Sequence, residues 1–100
     1  MLVIHQGDQL MIPFEIEQNG EPLLPEKTKE IRICVDDIVR YYSKGELTYY
    51  NNVYLFPLSS QESKNLVGII KVQVEVQFGT SEVHSQVFNI KVAKTLNPLL

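Results

Sequence analysis

The sequence predicts an all-β fold, a sandwich of about seven strands carrying one short helical turn near residues 60–66. Three observations carry that prediction. Valine and isoleucine are common while Ala93 is the only alanine, and β-branched side chains suit a pleated surface better than a helix. Apolar residues recur at every second position in several segments, the period of a half-buried strand. Turn residues separate those segments.

The segments run in order as follows. Leu2-Val3-Ile4 is a brief strand ended by Gly7-Asp8. Leu10, Ile12, Phe14 and Ile16 alternate with Met11, Pro13, Glu15 and Glu17. Pro13 has no N–H to give a ladder, so this strand belongs at an edge or carries a bulge. Asn19-Gly20 turns the chain, residues 22–29 with two prolines form an irregular loop, and Ile31, Ile33 and Val35 mark the next strand, with Arg32 and Cys34 on its other face. Tyr41-Tyr42 and Tyr49-Tyr50 flank a Lys44-Gly45 turn, which predicts a hairpin pairing Tyr42 with Leu47, Tyr41 with Thr48 and Arg40 with Tyr49. A further strand follows, with either Val53, Leu55 and Pro57 or Tyr54, Phe56 and Leu58 facing inward. Ser59 and Glu62 fit a capping box, with Ser59 as N-cap and Glu62 three residues on.

The clearest feature is the C-terminal hairpin. Ile70, Val72, Val74, Val76 and Phe78 share one face, and Lys71, Gln73, Glu75 and Gln77 share the other. Burying the five apolar side chains would contribute at most about 8–15 kcal/mol, comparable with a domain's whole net stability. Phe88, Ile90 and Val92 form the matching face of the last strand, opposite Val87, Asn89 and Lys91. Matching the faces sets Val74 opposite Phe88 and leaves Thr80-Ser81-Glu82 as a three-residue loop, or a bulge at Gly79. In that arrangement the inner face holds the fold together and the outer face meets solvent.

One hundred residues make one domain, residues 1–100, with no room for a second core. The chain is 44% hydrophobic and 21% charged, the make-up of a globular protein. Nine scattered cations against twelve anions argue against nucleic acid, and no apolar run approaches the roughly 20 residues that insert across a bilayer. The N-terminus lacks a basic region and a long apolar stretch, so no signal peptide is expected. Cys34 is the only cysteine, which rules out an internal disulfide and leaves a cysteine-based zinc site short of ligands. These points suggest synthesis and folding in a reducing cytoplasm.

Catalytic groups are not assembled by any motif. Asp36-Asp37 would point to opposite faces of a strand, so the pair reads as a solvated strand end or turn. His5 and His84 sit beside turns, and nothing local activates Cys34 to work with His84. There is no phosphate-cradling loop, nucleophile elbow or zinc-protease motif. The sequence therefore predicts no catalytic residue, no cofactor and no metal. What remains is contact chemistry: Arg40, Tyr41, Tyr42, Tyr49 and Tyr50 as an aromatic patch, and Leu99 and Leu100 as apolar residues that should dock somewhere.

The order of segments carries a resemblance. A short strand leads into Gly7-Asp8 and then Leu10-x-Ile12-Pro13-Phe14-x-Ile16; Leu58-Ser59, Glu62-Ser63-x-x-Leu66 and Gly68-x-Ile70-x-x-Gln73-Val74-x-Val76 follow. Over most of residues 1–94 this resembles the Ig-like domain at the N-terminus of phage baseplate upper proteins and related phage and prophage tail proteins. The resemblance implies an Ig-like antiparallel β-sandwich that serves as a non-enzymatic assembly module of a virion, in the tail or baseplate. It implies protein partners and a homo-oligomer, and it transfers no catalytic residue. The chain departs from that pattern in its tyrosine-rich segment and in carrying no receptor-binding module after Leu100. The alternative is a carbohydrate-binding or adhesion module on the same scaffold, with exposed tyrosines beside Asn51 and Asn52.

Overall fold

The computed structural model describes residues 2–7, 9–79 and 82–94. The strands are β1 (Leu2–His5), β2 (Leu10–Phe14), β3 (Glu17–Gln18), β4 (Glu21–Pro22), β5 (Thr28–Val35), β6 (Ile38–Ser43), β7 (Thr48–Tyr50), β8 (Val53–Leu58), β9 (Gly68–Phe78) and β10 (Glu82–Ala93). Seven of them (β1, β2, β5, β6, β8, β9 and β10) have four or more residues, and the other three have two or three. Two short helical turns complete the described elements: a 3-10 turn at Pro25–Lys27, within the stretch expected to be irregular, leads into β5, and α1 (Ser60–Ser63) precedes β9.

Two sheets face each other. The first has the order β1-β10-β9-β5-β6, the second β2-β8-β7, and β3 with β4 forms a small separate hairpin. Val72, Val74 and Val76 of β9, Ile31, Ile33 and Val35 of β5, and Ile90 and Val92 of β10 enter one buried cluster with Ile12, Tyr54, Phe56 and Leu58 of the second sheet. Rings cross between the layers: Phe14 stacks on Phe88 and Tyr42 meets Phe56 edge-on. Of the two possible inner faces of β8, the core takes Tyr54, Phe56 and Leu58. The fold is thus an all-β sandwich, and alternating hydrophobicity is its physical basis.

Several local expectations hold. Pro13 lies on β2, an edge strand of the second sheet. Ser59 caps α1 with its hydroxyl accepting from the Glu62 amide, while the Glu62 carboxylate accepts from the Ser59 amide, each at 3.1 Å.

Two pairings differ from expectation. The β9–β10 register sets Val74 opposite Gln86 and Val72 opposite Phe88, a shift of two residues from the pairing of Val74 with Phe88. An even shift keeps every side chain on its face, so hydrophobic patterning cannot tell the two registers apart. Phe78 pairs with Glu82, so the loop still has three residues but starts at Gly79, whose φ of 68° suits glycine; Thr80 and Ser81 lie outside the described residues.

The tyrosine hairpin is the second correction. Instead of pairing with β7, β6 pairs with β5 in the first sheet, and β7 pairs with β8 in the second. The chain crosses between layers over residues 44–47, drawn in by Leu47, which is buried. The tight turns lie elsewhere. Two residues, Asn51-Asn52, separate Tyr50 from Val53, and both have positive φ (53° and 68°), the requirement of a type I′ hairpin. Asn19-Gly20 repeats the pattern, and Asp36-Asp37 closes β5 onto β6 with Asp36 at φ 54°. Finally, β1 joins β10 in parallel, an arrangement that spacing in the sequence does not announce.

Candidate interaction surface

The expected aromatic patch is divided by the layer crossing. Tyr42 points inward onto Phe56, so its neighbour Tyr41 points outward from the first sheet and is 62% exposed. Burial raises the pKa of Tyr42, with Arg40 opposing. Tyr49 packs on the buried Tyr54, so Tyr50 points outward from the second sheet and is 72% exposed. The two exposed tyrosines therefore leave opposite faces of the sandwich. Arg40 stands opposite Ile33 rather than Tyr49, and its guanidinium pairs with the Glu62 carboxylate of the capping box. Leu99 and Leu100 lie outside the described residues.

Arg40 and Glu62 sit between two clefts, both of which they line together with Ser59. One, of about 650 Å³, is bordered by Asp36, Asp37, Gln61 and Asn65. The other, of about 480 Å³, is bordered by Gln9, Met11, Tyr42 and Pro57. Asp36 and Asp37 are exposed in their turn, as expected of a solvated pair. Cys34 and His84 do not meet in register. Cys34 stands opposite Gln73 on the outer face, whereas His84 stands opposite Val76, and its Nε2 lies 3.3 Å from Gln86 Oε1. Among the described residues, no three His, Cys, Asp or Glu side chains gather as metal ligands, and no helix is long and apolar enough to cross a membrane.

The first sheet has two edge strands, β1 at one side and β6 at the other, and it is β6 whose edge carries side-chain caps. Backbone groups of alternate residues point the same way along an antiparallel strand. The Ser43 amide donates to the Glu46 carboxylate and the Ser43 carbonyl accepts from the Glu46 amide, so Ser43, Tyr41 and Val39 present their backbone to the free edge. The Val39 carbonyl in turn accepts from Arg40 Nη1 at 3.2 Å. Side chains thus occupy both ends of the edge, a recognised defence against strand addition.

The outer face of the first sheet is more apolar than its β9 row alone suggests. Val3, Ile69, Val83 and Val87 are each more than half exposed there. In register, Val87, Gln73, Cys34 and Val39 form one row across four strands, and Ser85, Glu75, Arg32 and Tyr41 form the next. Arg32 Nη1 reaches Glu75 Oε1 at 3.1 Å, and the Tyr41 hydroxyl, with Cys34 and Glu75, raises the pKa of Arg32 further. The signal was present in the sequence: Val83 and Val87 occupy the outer positions of β10, so that strand is not strictly alternating.

No protein-family model and no curated protein matches the chain. Among solved structures the fold is similar to part of the X-ray structure of the endo-beta-1,4-mannanase from Thermotoga petrophila, with a TM-score of 0.61 and 12% identity over 95% of this chain. The chain spans 18% of that protein's length. At that identity the likeness is one of fold alone.

Proposed function

We propose that this chain is a non-enzymatic structural module of a phage or prophage virion, in the tail or baseplate, working through protein–protein contacts as a homo-oligomer. The carrying observation is the outer face of the first sheet, where Val3, Ile69, Val83 and Val87 stand exposed among charged and amide side chains. Scattered single apolar residues are ordinary on a protein surface, but several on one sheet face suit a contact surface. The resemblance of the segment order to phage baseplate domains supplies the virion context, with synthesis in the bacterial cytoplasm preceding incorporation. Fractionating phage particles from cells that carry this gene tests the reading. The protein should co-purify with tails; its absence from particles, together with a strict monomer by light scattering, would overturn the proposal.

A second reading, a carbohydrate-binding or adhesion module, is favoured by the likeness of fold to part of a mannanase. The aromatic platform that would serve it is weakened, since Tyr41 and Tyr50 leave opposite faces. A glycan array in which the protein binds no saccharide removes this reading.

A further inference from the structure

The outward residues of β9 read Ile69, Lys71, Gln73, Glu75 and Gln77, and those of β10 read Val83, Ser85, Val87, Asn89 and Lys91. Gln73 and Val87 stand opposite each other at the middle of both rows. Lys71 and Glu75 flank Gln73 at equal distance along the strand and on the same face, so the row carries opposite charges about its centre. At the far end from Lys91, a shallow hollow of about 130 Å³ is lined by Glu30, Arg32, Glu75, Gln77 and Val83. Two carboxylates against one guanidinium leave that hollow with a net charge of −1.

We infer that this face is the seat of a second copy of the same chain, related by a twofold axis that lies in the face and crosses β9 and β10 at Gln73 and Val87. The inference rests on the assembly reading and names the surface that reading would use. Such an axis lays β9 antiparallel over its counterpart in the copy. It sets Lys71 of each protomer against Glu75 of the other, brings Lys91 over the acidic hollow, and places Val87, 55% exposed, against its own equivalent. An unrelated partner would have no need of charges balanced about the centre of the face; a twofold copy is complemented by them. The size also fits. The eight spacings of about 3.4 Å from Ile69 to Gln77 along β9, across four gaps of about 4.8 Å between five strands, give a footprint of roughly 500 Å² per copy. The total of about 1,000 Å² is the lower bound for a specific interface and corresponds to a reversible dimer.

Sedimentation equilibrium on the full chain, from micromolar to about millimolar concentration, reads the dimer directly. The wild type should show a reversible monomer–dimer equilibrium that weakens as salt rises. Val87→Lys sets like charges together on the axis and should weaken dimerisation by at least about 30-fold while the circular dichroism spectrum and Tm stay unchanged. Lys91→Glu should weaken it too, and adding Glu30→Lys to that variant should restore most of the loss. A wild-type monomer at about millimolar concentration overturns the inference. So does a dimer indifferent to Val87→Lys and Lys91→Glu, although that second result would leave the broader assembly reading standing on another surface.

Discussion

The rings of Tyr49 and Tyr54 meet with centroids 4.7 Å apart and planes tilted by 59°, yet their hydroxyls have opposite fates. The Tyr54 hydroxyl donates to the Leu23 carbonyl at 2.5 Å, tying β8 to the loop after β4. The Tyr49 hydroxyl is buried with no hydrogen-bond partner among the described residues. Removing a made bond strands its acceptor, whereas removing an unmade one relieves a desolvated group. Tyr54→Phe should therefore cost about 1–3 kcal/mol, and Tyr49→Phe should be neutral or gain up to about 1 kcal/mol. Denaturant titration of both variants checks the contrast, which fails if the two costs are equal.

Tyr54 also sets an alkaline limit. Burial, with a smaller contribution from Tyr49, pushes its pKa well above the ordinary 10.0. A pKa raised in the folded state means stability that is fully present below the unfolded value and lost as pH climbs past it. Stability should decline from about pH 10 upward, and the decline should be shallower in Tyr54→Phe than in the wild type. Tm measured from pH 8 to 11 on both proteins tests this. Parallel curves would mean that Tyr54 does not carry the effect.

Much of the fold was legible because its signals are local. Period-two alternation marked β9 and its inner face, the Ser59–Glu62 pair marked α1, and Pro13 marked an edge strand. Partner choice was less legible. Lys44-Gly45 between two tyrosine pairs reads as a hairpin turn, but burial of Leu47 carries the chain to the other layer, and the tight turns fall at Asp36-Asp37 and Asn51-Asn52. The parallel joining of β1 to β10 depends on contacts some ninety residues apart. The candidate surface suffered most from this, because placing Tyr41 and Tyr50 required knowing which sheet each strand joins.

Glu62 serves two partners at once: one carboxylate oxygen accepts the Ser59 amide and the other pairs with Arg40. The substitutions separate these roles. Ser59→Ala removes the hydroxyl that caps the Glu62 amide and should cost about 1 kcal/mol. Glu62→Gln keeps an acceptor for the Ser59 amide but discharges the partly exposed ion pair, and should cost no more than about 0.5 kcal/mol. Glu62→Ala loses both and should exceed either. Chemical denaturation gives the order, and a larger loss for Glu62→Gln than for Ser59→Ala would show that the ion pair, rather than the cap, holds α1 in place.

Glu46 guards the edge of β6. Its carboxylate holds the Ser43 amide while its own amide bonds the Ser43 carbonyl, and Arg40 covers the Val39 carbonyl at the other end. These contacts leave the Tyr41 backbone groups and the Val39 amide uncovered on the outward side, a short run flanked by capped groups that offers a new strand little to pair with. Hydrogen bonds from the Ser43 amide and side chain lower the Glu46 pKa below the ordinary 4.5. A depressed carboxylate pKa means that the cap is intact above the ordinary value and is lost as pH falls through the lower folded one. Glu46→Ala should therefore associate beyond the wild type at neutral pH, and the wild type should begin to do so only below about pH 4. Light scattering against concentration reads both, with thioflavin fluorescence reporting strand addition. Should Glu46→Ala scatter no more than the wild type, the backbone of β6 is shielded by something other than this side chain.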